Sequence, residues 1–277
     1  MHKKLVAIAQ ARAVRGINRR SPYSQAIKNV PANLLPHWRE TAHLEFEGIP
    51  QSARFFAHAL EGLMMFFDCS SRAGHQCALP SRAADSVWHA WISMDKESLD
   101  SFCTKQFGRP IPHVEARDMQ SKMGLALATC LVEGRKLESM SPAAPGLPRL
   151  FTLDTLVQMP HGFGYKIFAG LVAFRTLDAV GQARGEPSFP DDLTPYGLFN
   201  AGLISEAEHE AGKRLTGACR DRWIATSGAS CGSVSPNAGA CDGRRANDGS
   251  GITGGDSASD SAGSGDGSSC GGGCGGD

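Results

Sequence analysis

No stretch of this sequence approaches the roughly 20 apolar residues that a membrane-spanning helix needs. The nearest, residues 163–180, is interrupted by Lys166, Arg175 and Asp178, so no transmembrane segment is expected. An excess of charge is missing as well. With 28 lysines and arginines against 28 aspartates and glutamates, the overall field gives no reason to expect a nucleic-acid partner. The nine cysteines lack both the dense spacing of a disulfide scaffold and the Cys-x-x-Cys pairs of a strong zinc signature, and they read as reduced thiols in a cytoplasmic protein. Beyond residue 226 there is no aromatic residue, and Val234 and Ile252 are the only branched apolar ones. That is too little to offset the entropy of ordering the chain. The expected organisation is therefore a folded domain over residues 1–225 and a disordered Gly/Ser/Asp/Cys tail over 226–277. No internal repeat divides the first part.

The opening residues, 1–13, have the lysines and alanines of a secretory signal, but the apolar core at residues 5–9 is shorter than the usual span of about 7–15 residues, and Gln10 and Arg12 break it. They read as mature helix. Lys3, Lys4, Arg12, Arg15, Arg19 and Arg20 make this start basic, which suggests a solvated helix face or a peripheral contact with anionic membrane.

Further along, the apolar spacing is helical. Phe55, Phe56, Leu60, Leu63, Met64 and Phe67 recur at intervals of three and four, and then Ala84, Val87, Trp88, Trp91 and Ile92 form a second stripe. A further helix is expected over residues 96–107, capped by Asp95, with Leu99, Phe102, Cys103 and Phe107 inward and Gly108 ending it before Pro110. Residues 82–107 thus predict a tryptophan-rich helical hairpin. A helix is also expected within 115–140, with Met119, Met123, Leu127, Cys130, Leu131 and Leu137 inward, followed by a proline-rich connector at 141–148. Residues 150–157 read as a short helix or strand, 163–180 as a central apolar helix, 185–195 as a loop and 203–223 as a last amphipathic helix. The fold class is mainly α, one helical domain built around the hairpin.

Reactive side chains are densest in residues 79–113. Asp85 and His89 stand four apart on one helix, where their side chains meet and a carboxylate can fix an imidazole tautomer. Cys103 lies on the partner helix and His113 follows the turn. His89, Cys103 and His113 could supply the nitrogen and sulfur ligands of a zinc ion with a fourth position left to water. Alternatively Cys103 could be a nucleophile, with His89 or His113 as base and Asp85 orienting it. A third reading makes the set structural: tryptophans in the hairpin core, Cys103 a small apolar residue, and Asp85 with His89 a closing hydrogen bond. Gly162-x-Gly164 lacks the third glycine of a dinucleotide loop.

The string Asp85-x-x-Trp88-His89, then Phe102-Cys103, Phe107-Gly108-Arg109 and His113, resembles the bacterial branch of the glycine-rich domain-containing proteins. The resemblance extends through Leu147-Pro148-Arg149-Leu150-Phe151-x-Leu153-Asp154, Gly162-Phe163-x-Tyr165 and the tail motif Cys270-Gly-Gly-Gly-Cys274. The leading expectation is a non-enzymatic helical interaction or scaffold domain of this glycine-rich type, open to a protein partner, with a metal-binding protein or metal-dependent enzyme built on Asp85, His89, Cys103 and His113 as the alternative. In such relatives a second histidine commonly stands two residues after the one matched by His89; this chain has Trp91 there.

Overall fold

The computed structural model describes residues 16–114, 116–119 and 122–227. Chain contacts separate a unit over Met1–Asp242 from one over Gly243–Asp277. The second unit, the tail motif and the basic residues Lys3 to Arg15 lie outside the described residues. Arg19 and Arg20 are exposed.

The apolar series beginning at Phe55 forms the central helix. Helices α1 (Ser24–Lys28) and α2 (Leu34–Glu45) lead to α3 (Ala53–Arg72), whose N-terminus is capped by the Ser52 hydroxyl accepting from the Phe55 N–H at 3.1 Å. Thirteen of its residues are buried, more than one face can supply, so α3 is covered on several sides. Helix α4 (Arg82–Phe107) packs along it, and Trp88 meets both Phe66 and Phe67 at ring-centroid distances of 5.2 and 5.3 Å. From the other flank, Trp38 of α2 lies on Phe55 and Phe56 and donates its indole N–H to the Ser86 hydroxyl at 3.0 Å.

Helix α4 is two helices in one run. Asp95 leaves helical geometry (φ −168°, ψ 94°), and its carboxylate accepts from the Ser98 N–H at 2.9 Å, capping the second half. Trp91 and Phe102 stand 4.7 Å apart by ring centroid, whereas eleven residues of straight helix would separate them by about 16 Å. The chain therefore doubles back at Asp95 and buries both rings. Gly108, at φ +84°, ends the second half in the left-handed region that glycine enters without strain.

Then follow α5 (Ala116–Met119), α6 (Met123–Leu137) and α7 (Arg149–Val157). The connector between α6 and α7 is held by buried Arg135, which donates to the carbonyls of Gly146 and Pro142. Residues 163–180 do not form the expected central helix. They form an antiparallel hairpin of β1 (Phe163–Phe168) and β2 (Leu171–Thr176), with Phe168 paired to Leu171. Ala169 and Gly170 both have positive φ, 48° and 83°, the signature of a two-residue turn whose twist matches the strands. Tyr165 packs on Phe151 of α7. A 3₁₀ turn (Asp191–Leu193), α8 (Pro195–Asn200) and α9 (Glu206–Ser227) complete the described chain. Ser205 and Glu208 cap the start of α9 reciprocally. The fold is mainly α, and no helix among the described residues is long and apolar enough to cross a membrane.

Candidate metal-binding site

Spacings of three and four residues put Arg82, Asp85 and His89 on one stripe of α4. The N-terminus of that stripe is fixed by Asp154, a fully buried carboxylate on α7. Its Oδ1 accepts from the Ser81 hydroxyl (2.6 Å) and the Ala83 N–H (3.0 Å), and its Oδ2 from the N–H groups of Arg82 (2.9 Å) and Phe163 (2.8 Å). Burial pushes this carboxyl above the ordinary aspartate range, and the four donors pull it back. One side chain thereby joins the first turn of α4 to the start of β1. Gly162 is a glycine because a Cβ there would stand 2.8 Å from Asp154 Oδ2, a packing reason that displaces any phosphate-loop reading.

His89 is oriented from outside its own helix. Its Nδ1–H donates to Glu45 Oε2 at 2.5 Å, with Glu45 the last residue of α2, and the edge of its ring meets Phe46. A carboxylate on one ring nitrogen leaves the lone pair of the other available. That Nε2 lies 3.6 Å from Asp85 Oδ1. The strap following Gly108 brings in His113, whose Nε2 lies 3.5 Å from the same oxygen. The His113 ring stands edge-on to Trp88 at 4.5 Å and to His89 at 4.8 Å. One donor atom from each of Asp85, His89 and His113 falls within 4.8 Å of the others, and among the described residues this is the one cluster with metal-ligand spacing.

Cys103, expected with them, stands apart. It is fully buried in the hairpin beside Phe102 and accepts the backbone N–H of Ile111. Desolvation first, and then Asp100, push its thiol up to about 12, so the thiolate that a zinc ligand or nucleophile requires is disfavoured. Its contribution is to fasten the strap two residues ahead of His113. A histidine in place of Trp91, two positions after His89, would also miss this site. Two residues rotate about 200° around a helix, and Trp91 there is fully buried against Phe102. His161 is an exposed loop residue at φ 54°.

The cluster forms part of the wall of an open cavity of about 1150 Å³, lined elsewhere by Phe66, Leu127, Phe163, Tyr165 and Phe174 among others. Glu45, Asp154, Arg82 and Arg109 were not among the expected site residues. Glu45 and Asp154 act through contacts 44 and 73 residues distant in sequence.

The described residues thus form a mainly helical fold with a histidine and carboxylate cluster on the wall of a large cavity. A protein-family model described as UCP032817-like matches residues 49–176. This is the stretch that carries α3 through β2, and with it Asp85, His89, His113 and Asp154, while Glu45 lies just ahead of it. No curated protein and no solved structure matches the chain.

Proposed function

We propose that this protein binds a divalent transition-metal ion, zinc being the fitting choice, through Asp85, His89 and His113, and presents it to a small molecule in the adjoining cavity. The observation that carries this reading is a pair of distances. At 3.6 and 3.5 Å, the two histidine Nε2 atoms are too far from Asp85 Oδ1 for good hydrogen bonds, which run about 2.7–3.2 Å. They lie near the separation of about 3.3–3.4 Å between neighbouring ligands of a tetrahedral ion with bonds near 2.0–2.1 Å. Glu45 on the far nitrogen of His89 supplies the carboxylate–histidine support typical of zinc ligands. Three protein ligands leave one position for water, the arrangement of hydrolytic zinc.

The test is elemental analysis of full-length protein purified without a metal-affinity tag. Wild type is expected to carry about one zinc per chain, and His89→Ala and Asp85→Asn to lose most of it. Equal, negligible content in all three after incubation with zinc would retire the reading. The glycine-rich resemblance would then stand alone as support for a scaffold that binds another protein.

A further inference from the structure

The cavity beside the candidate metal site has two guanidinium groups on its wall. Arg82 lies over the Phe46 ring, 5.4 Å from its centroid. Its Nε is buried without a hydrogen-bond partner, and no carboxylate among the described residues pairs with it. Arg109 donates from Nη2 to the backbone carbonyl of Ser70 and likewise has no carboxylate partner among the described residues. The carboxylates on this wall, Glu45 and Asp85, are turned to the histidines. What remains for a ligand is positive charge and hydrogen-bond donors above an apolar interior of Phe66, Leu127, Phe163 and Phe174.

We infer that the cavity takes an organic monocarboxylate with an apolar body, its head group held by Arg82 and its body in the aromatic interior. A guanidinium fork matches a carboxylate with two parallel hydrogen bonds. Phosphate fits less well. The backbone N–H groups at the start of α4, which could form a phosphate cradle, are already taken: those of Arg82 and Ala83 by Asp154, and that of Ala84 by the Ser81 hydroxyl. Because Arg82, Asp85 and His89 share one helix stripe, the head group lies beside the metal ligands. The inference deepens the metal-pocket reading by naming a ligand class, and rests on it for the cavity being the working site.

The test is calorimetric titration of full-length protein, zinc-loaded and chelator-treated, with octanoate, 1-octanol, acetate and inorganic phosphate. Octanoate is expected to bind at least about tenfold more tightly than each of the other three. Arg82→Gln is expected to weaken octanoate about tenfold or more while leaving 1-octanol unchanged, the arithmetic of one lost charge-assisted contact. Equal affinity for 1-octanol or phosphate overturns the inference. If Arg82→Gln loses 1-octanol too, the cavity is damaged, and Arg82→Lys and Arg109→Gln decide. Selective weakening of octanoate by Arg82→Lys supports the inference, and weakening by Arg109→Gln alone, or by neither, overturns it. Zinc content read on the same samples separates the two proposals. Zinc retained without arginine-dependent octanoate binding sinks the carboxylate ligand alone. Arginine-dependent binding by a chain that never takes up zinc sinks the metal alone.

Discussion

At the scale of single residues, the strongest device is buried Asp154, each of whose carboxylate oxygens accepts from two donors. Asparagine has nearly the same shape but turns one oxygen into an N–H₂ group. With the N–H₂ group in the place of Oδ2, the N–H groups of Arg82 and Phe163 face another donor; in the place of Oδ1, the Ser81 hydroxyl can turn to accept, and the Ala83 N–H is still unmet. Leaving a buried donor unmet costs about 1–3 kcal/mol, so Asp154→Asn, with at least one left unmet, is expected to destabilise the fold by about that much, read as a lowered denaturation midpoint with unchanged slope. A midpoint within error of wild type would show that these bonds do not hold α4 to β1. Nothing local announces this role in the sequence, because the partners come from the loop before α4 and from β1. Asp85 and His89 were legible for the opposite reason, as a spacing of four on a helix whose apolar stripe is clear.

At the scale of elements, the legible parts are those with a broad apolar stripe and a cap. Asp95 and Gly108 punctuate α4 where their chemistry requires. Replacing the cap, Asp95→Ala, is expected to cost about 1 kcal/mol and to loosen the bend that sets Trp91 on Phe102, seen as a lower thermal midpoint with a change in tryptophan fluorescence; identical midpoints would mean that ring packing alone makes the bend. Of the elements that escaped, two show why. Helix α2 buries only Leu34, Trp38 and Ala42, a stripe one residue wide, and Pro36 in its first turn looks like a breaker. It is tolerated because first-turn N–H groups have no partner inside the helix. The hairpin of β1 and β2 was mistaken for a helix because its burial does not alternate. Gly164 with Tyr165, and Val172 with Ala173, are buried side by side, so the period-two signal of a half-exposed strand is lost.

At the scale of the whole molecule, the candidate ligands tie together parts that the chain keeps separate. Asp85 and His89 belong to the first half of α4, His113 to the strap beyond its second half, and Glu45, behind His89, to α2. An ion held by this set binds the folded chain and finds no preformed site in the unfolded one, so its binding free energy adds to stability. Free zinc at about 100 times its dissociation constant would contribute about 2.7 kcal/mol, a rise in melting temperature of roughly 5–10 °C for a fold of this size. The shift is expected in wild type under a phosphine reductant, to reverse with chelator, and to be small with magnesium, which prefers oxygen ligands to imidazole. His113→Ala removes one ligand, and its test is the zinc-induced shift, not the starting melting temperature, which also feels the lost contact with Trp88. A full shift in that variant would place the zinc elsewhere, with the cysteines as the first alternative. A shift lost together with the zinc content would tie the folding of α2, α4 and the strap to one ion.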